Sequence, residues 1–152
     1  MAGTDQPTAA ARPEPLARLA AFFEALTPQS LDDIDRIYAE TAQFKDPFNA
    51  VQGCGAIRRI FDHMFATTEA PRFVVRTALG DARQGFLTWD FHFRSKGRGA
   101  RDWIIHGASR VEFGPDGRVL LHRDYWDAAG ELYEKLPLIG AVLRALRCRL
   151  RV

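Results

Sequence analysis

Cysteine is scarce in this chain of 152 residues: Cys54 and Cys148 are the only two. They stand far apart, without the close spacing that gathers a metal ion, and nothing suggests a disulfide framework. An excess of one charge is lacking as well. Lys and Arg number 21 against 19 Asp and Glu, a formal net charge of +2, so the surface as a whole exerts little pull on nucleic acid. No apolar run is long enough to span a bilayer. The N-terminus has no basic start followed by an apolar stretch, so no secretory signal is expected. These absences predict a soluble, reduced, cytoplasmic protein. The basic excess is local: Arg144, Arg147, Arg149 and Arg151 crowd the C-terminus.

What is present reads as helices first and strands afterwards. Residues 1–13 are small, polar and rich in Pro and Ala, and read as a disordered leader. A domain of residues 14–127 follows. A helix is expected from Glu14, with Pro15 in its first turn and Leu16, Leu19, Ala20, Phe23 and Leu26 at helical spacing. Ser30 is a good N-cap for a second helix, whose apolar face is Leu31, Ile34, Ile37 and Tyr38. A short extended piece, Gln43–Asp46, ends at Pro47, and a third helix covers Ala56–Thr67. Strands are predicted over Phe73–Leu79, Gly85–Arg94, Asp102–Phe113 and Val119–Trp126, separated by Gly- and Asp-rich turns. A last helix runs from about Ala128 to Leu150. Helices followed by an antiparallel meander indicate the α+β class.

Two stretches resemble a known group. Phe22–Asn49, "FFEALTPQSLDDIDRIYAETAQFKDPFN", resembles the start of ketosteroid isomerases. "VEFGPDGRVLLHRDYWD" resembles both those isomerases and limonene-epoxide hydrolase. Both belong to the nuclear transport factor 2-like, or SnoaL-like, superfamily. The resemblance implies a cone-shaped fold, with N-terminal helices on a strongly bent antiparallel sheet and an apolar cavity on the concave face. It is weak for reaction type, because that superfamily contains isomerases, cyclases, hydrolases, dehydratases and binders.

The resemblance assigns candidate catalytic residues. Asp46, in "KDPF", falls where the isomerases carry their general base; read alone, it is a turn aspartate before proline. Strand alternation places Thr88, Asp90, His92, His106, Ala108, His122, Asp124 and Trp126 on one face. Leu87, Trp89, Phe91, Phe93, Trp103, Ile105 and Tyr125 take the other. By alternation alone the first face is solvated and the second is core. By resemblance to the epoxide hydrolases, Asp124 of "RDY" faces the pocket, with Asp90, His92 and His106 beside it, and Asp124 orients one of the two histidines for acid–base work. His92, His106 and Asp124 could gather as metal ligands on adjacent strands, but they show no local ligand motif, and no metal or cofactor is expected. The ligand walls are expected from Phe22, Phe44, Phe61, Phe65, Ala108 and Trp126, together with Leu19, Phe23, Phe48, Ile60 and Met64.

The departures matter as much as the matches. Phe22 stands where the isomerases place an oxyanion-donating tyrosine, and phenylalanine donates no hydrogen bond. Asp90 stands where the epoxide hydrolases place an arginine. Neither parent activity is therefore expected. The leading expectation is a cofactor-free enzyme acting on a small hydrophobic molecule; the alternative is a non-catalytic ligand- or protein-binding module. An inward polar face would leave Trp89, Phe91, Phe93, Trp103, Ile105 and Tyr125 on the convex side, which predicts a homodimer there. The C-terminal basic helix either closes the cavity or meets a partner subunit, or else makes peripheral contact with an anionic membrane surface.

Overall fold

A computed structural model describes residues 13–131 and Cys148. The leader and most of the expected C-terminal helix lie outside the described residues.

The first helix, α1 (Glu14–Glu24), starts where expected, with Pro15 in its first turn. It buries Leu16, Leu19, Ala20 and Phe23. Each of the Leu and Phe side chains contributes about 1.5–3 kcal/mol when taken fully out of water. The second predicted helix is shorter than its apolar spacing suggested. A 3-10 turn covers Gln29–Asp33, and α2 is only Ile34–Ile37. Tyr38, expected on that helix, instead opens strand β1 (Tyr38–Lys45), where β-branched and aromatic neighbours favour extension. Strand β2 (Ala50–Gln52) pairs back on β1, and α3 (Cys54–Thr67) follows. The long strands are β3 (Thr68–Gly80), β4 (Gln84–Ser95), β5 (Asp102–Phe113) and β6 (Val119–Trp126). Helix α4 (Ala128–Glu131) begins where the last helix was expected.

The six strands form one curved sheet in the order β2-β1-β6-β5-β4-β3. The sheet is mixed rather than wholly antiparallel, because β1 lies parallel to β6. That crossover sets Phe44 opposite His122. Helices α1 and α3 cover the concave face. Their Leu19, Phe23, Ile57 and Phe61 meet Leu87, Trp89, Ile105 and Val111 of the sheet in one core.

Two irregularities decide which side chains reach that core. The β5–β6 hairpin opens with Phe113 opposite Val119, yet Glu112 lies opposite Leu121. Leu120 is therefore an extra residue, a β-bulge, and every later residue of β6 faces the other way. In β3 the pairing jumps from Val75–Trp89 to Thr77–Thr88, so Arg76 is likewise extra.

Registers beyond the hairpin place Ser109 opposite Asp124 and Gly107 opposite Trp126, while Asp90 lies opposite His106. The expected faces are thus corrected. Leu87, Trp89, Phe91, Phe93, Trp103 and Ile105 share the concave face with His122, Asp124 and Trp126. Asp90, His92, His106, Ala108 and Tyr125 lie on the convex one. Of the aromatic surface expected on the convex side, Trp89, Phe91, Phe93 and Ile105 line the cavity instead, Trp103 is buried and Tyr125 alone stays convex, so the reason given for dimerisation through it does not hold.

Candidate functional site

On the concave face α3 and the sheet enclose a cavity of about 450 Å³. Phe44, Phe61, Phe73, Trp89, Phe91 and Trp126 supply much of its wall, with Asp46 and Asp124 among the few polar groups. A smaller space of about 30 Å³ lies deeper, between Phe23, Leu87, Ser109, His122 and Asp124. Asp124, Phe61, Phe73 and Trp89 border both spaces, so Asp124 stands where the apolar chamber meets a polar floor.

That floor is a chain of hydrogen bonds. Asp124 Oδ1 lies 2.7 Å from His122 Nε2 and accepts from Ser109 Oγ at 2.5 Å. His122 Nδ1 lies 2.7 Å from the Tyr38 hydroxyl. Trp89 Nε1–H donates to Ser109 Oγ at 2.8 Å, and His122 Nε2 is a more distant 3.2 Å from the same oxygen. His122 is only 2% exposed and Tyr38 is fully buried. Burial, aided by the Asp124 charge, pushes the Tyr38 phenol well above its ordinary value, so it keeps its proton. A phenol that donates to Nδ1 puts the imidazole hydrogen on Nε2, directed at Asp124 alongside the Ser109 hydroxyl. Both donors converge on Oδ1. Among the described residues no hydrogen bond reaches Oδ2, and no Lys or Arg pairs with this carboxylate.

Trp89 reaches Ser109 because Gly107 lies under its indole ring; a Cβ at that position would overlap the ring carbons. Absence of a side chain there is what lets the large ring lie flat across the sheet.

Asp46 also lines the cavity, but its carboxylate is already engaged. Oδ1 accepts from the backbone N–H of Phe48 at 2.7 Å and of Asn49 at 2.6 Å, and the Asn49 side-chain amide reaches both oxygens. These are the bonds of an aspartate closing a turn around proline.

The remaining predicted site residues lie elsewhere. Asp90, 8% exposed, is on the convex face, where its Oδ1 meets His106 Nδ1 at 2.6 Å and its Oδ2 meets the Arg76 guanidinium at 2.6 Å. The hydrogen bonds from His106 and Arg76 hold its carboxyl below the ordinary range. His92 is beside them, with Nε2 buried and lacking a hydrogen-bond partner among the described residues. Burial, reinforced by the Arg72 charge, pushes the His92 imidazole down. Ala108 lies on this convex face too, whereas Phe22 and Phe65 pack at the margin of the core rather than on the cavity wall. Phe44, Phe61 and Trp126 do line the cavity. His92 and His106 do not converge with Asp124, and the described residues hold no group of three or more His, Cys, Asp or Glu fit to bind a metal ion.

Sequence reasoning thus missed Tyr38, Ser109 and the part played by His122. One signal was available: His122 and Asp124, two apart on a strand, must share a face.

A model of the SnoaL-like domain matches residues 19–122 of the chain. Among solved structures, a candidate SnoaL-like polyketide cyclase from Shewanella denitrificans OS-217 is similar, with a TM-score of 0.67 and 17% identity over 80% of this chain and 98% of that one. An LEH-like epoxide hydrolase from M. tuberculosis has a TM-score of 0.62 and 18% identity over 88% of this chain and 96% of its own. A protein with the ketosteroid isomerase-like fold from Catenulispora acidiphila DSM 44928, solved with trimethylamine, has a TM-score of 0.66 and 15% identity, covering 80% of this chain and 91% of that chain. At these identities the likeness speaks for the fold alone. No curated protein matches the chain.

Proposed function

The chain belongs to the SnoaL-like domain family, and on that premise we propose that it is an enzyme converting a small hydrophobic molecule by acid–base chemistry, with Asp124 as the general base. The observation that carries this reading is the position of Asp124. Its carboxylate borders both an aromatic cavity and a polar floor, with Oδ1 held by His122 and Ser109 and Oδ2 open to a bound molecule. A carboxylate fixed in this way takes a proton from a carbon beside a carbonyl, or from a hydroxyl, and returns it to a neighbouring atom. The bonds to Oδ1 stop the base from rotating away. The walls exclude water and select molecules with little polar surface.

The substrate class follows from the size and lining of the cavity: a compact, largely apolar ring or chain with one carbonyl, hydroxyl or epoxide group. Phe22 and the convex Asp90 leave the described site without the oxyanion tyrosine of the isomerases and the pocket arginine of the epoxide hydrolases. The reaction proposed is therefore neither of those two, but another proton transfer of isomerase, cyclase, dehydratase or hydrolase type.

The test uses a panel of small cyclic ketones, unsaturated ketones and epoxides, followed by proton NMR in D2O. The wild-type chain is expected to convert, or to exchange the acidic proton of, at least one member, and Asp124→Asn to slow that event by about 10²–10⁴-fold. Tight binding of panel members with neither conversion nor exchange would identify a carrier instead.

A further inference from the structure

Tyr38 does not border the cavity, yet it touches the group that touches Asp124. We propose that Tyr38 is a positioning residue for this site: it keeps His122 Nδ1 unprotonated, so that His122 remains a neutral donor through Nε2 and itself places no counter-charge beside the Asp124 carboxylate. This rests on the reading of Asp124 as the base.

The argument is one of counting protons. His122 is enclosed by Phe23, Tyr38 and Phe44, with ring centroids 4.9–5.9 Å away, and the polar atoms it meets are the Tyr38 hydroxyl, Ser109 Oγ and the Asp124 carboxylate. Of these, Tyr38 and Asp124 are the groups that titrate. The Tyr38 hydroxyl carries one hydrogen, and Nδ1 is the acceptor it meets among the described residues. If Nδ1 were protonated, two hydrogens would point at each other, or the phenol would have to turn its own into an apolar wall, which leaves a buried donor unsatisfied. Placing the hydrogen on Nε2 makes every donor–acceptor pair agree: Tyr38 to His122, His122 to Asp124, Trp89 to Ser109, Ser109 to Asp124. All four bonds run towards one oxygen.

The consequence for the site is electrostatic. An imidazolium beside Asp124 would neutralise the carboxylate and make it a poorer proton acceptor. A neutral imidazole orients it without cancelling its charge. Tyr38 therefore acts on the reaction through a group it never shares with the substrate.

Tyr38→Phe removes one oxygen from a fully buried ring and leaves the cavity wall unchanged. Nitrogen-15 spectra of the labelled chain show which ring nitrogen of His122 bears hydrogen. In wild type at pH 7 the expected pattern is Nε2–H with bare Nδ1; in Tyr38→Phe protonated Nδ1 should appear. For any panel member that the wild type turns over, kcat should fall about tenfold while KM stays near its wild-type value. Wild-type spectra with hydrogen on Nδ1, or identical patterns in the two proteins, would overturn the proposal. Because the spectra need no substrate, failure of the proposed acid–base function is told apart from failure of this one. Should Tyr38→Phe not fold, Tyr38 carrying fluorine at the 3-position keeps the ring and makes the hydroxyl a stronger donor. The Nδ1 resonance must then move, and an unmoved resonance would equally overturn the proposal.

Discussion

The two faces of the sheet each hold a carboxylate bonded to a histidine, and the pairs differ in what surrounds them. On the convex face Asp90 is clamped by Arg76 as well as His106, and the His106 side chain is 65% exposed. On the concave face no arginine among the described residues pairs with Asp124, its side chain is 17% exposed, and its histidine is sealed in the core. Charge is balanced within the first cluster and left open in the second. An aspartate–histidine pair is thus not a functional signature in itself; the adjoining cavity, and the lack of a pairing Lys or Arg among the described residues, distinguish Asp124.

The largest effect should come from exchanging the two pairs in the assay. Asp124→Asn is expected to slow conversion of any substrate found by about 10²–10⁴-fold, whereas Asp90→Asn should leave the rate close to wild type, since Asp90 is separated from the cavity by the sheet. Equal losses in the two variants would remove the distinction. A smaller effect is expected at Gly107→Ala. The new methyl group would displace the Trp89 ring, at a cost of about 1–3 kcal/mol, and lower the melting temperature by roughly 3–10 °C. It should also weaken ligand binding, because Trp89 borders both spaces of the cavity. Calorimetry and tryptophan fluorescence check the two parts. The smallest effect concerns pH. The Asp90 carboxyl is held below its ordinary value, so it stabilises the fold above the unfolded-state value of about 3.9 and loses that contribution as pH falls through its lower folded value. Melting curves between about pH 5 and pH 2 should therefore fall more steeply for wild type than for Asp90→Asn. Parallel curves would show that the clamp adds nothing to stability.

Much of the fold was legible in the sequence. Strands β5 and β6 begin and end at the residues expected, and α1 starts at Glu14, because turn residues and the switch from helical to alternating spacing mark these boundaries directly. The site was legible only in part. Alternation within each strand was read correctly, but relating one strand to the next requires the register. Had Leu120 been paired with Glu112 in a regular ladder, the hairpin would have kept Asp124 on the side of Asp90 and His106. Nothing in "GRVLLHRDYW" announces that one leucine has no partner. Tyr38 was hidden for a different reason: its spacing from Ile34 and Ile37 continues the apolar face of a helix, and only the parallel pairing of β1 with β6 shows that it turns inward to meet His122.

The bulge has a consequence for which side chains of β6 the cavity receives. Residues 122 and 124 differ from residues 123 and 125 in almost every property: histidine and aspartate against arginine and tyrosine. Pairing Leu120 with Glu112, instead of leaving it out of the ladder, would present the second set to the cavity and the first to solvent, whereas removing Leu120 would straighten the strand and keep Asp124 opposite Ser109. The protein carries two alternative interiors in one strand, and one unpaired leucine selects between them.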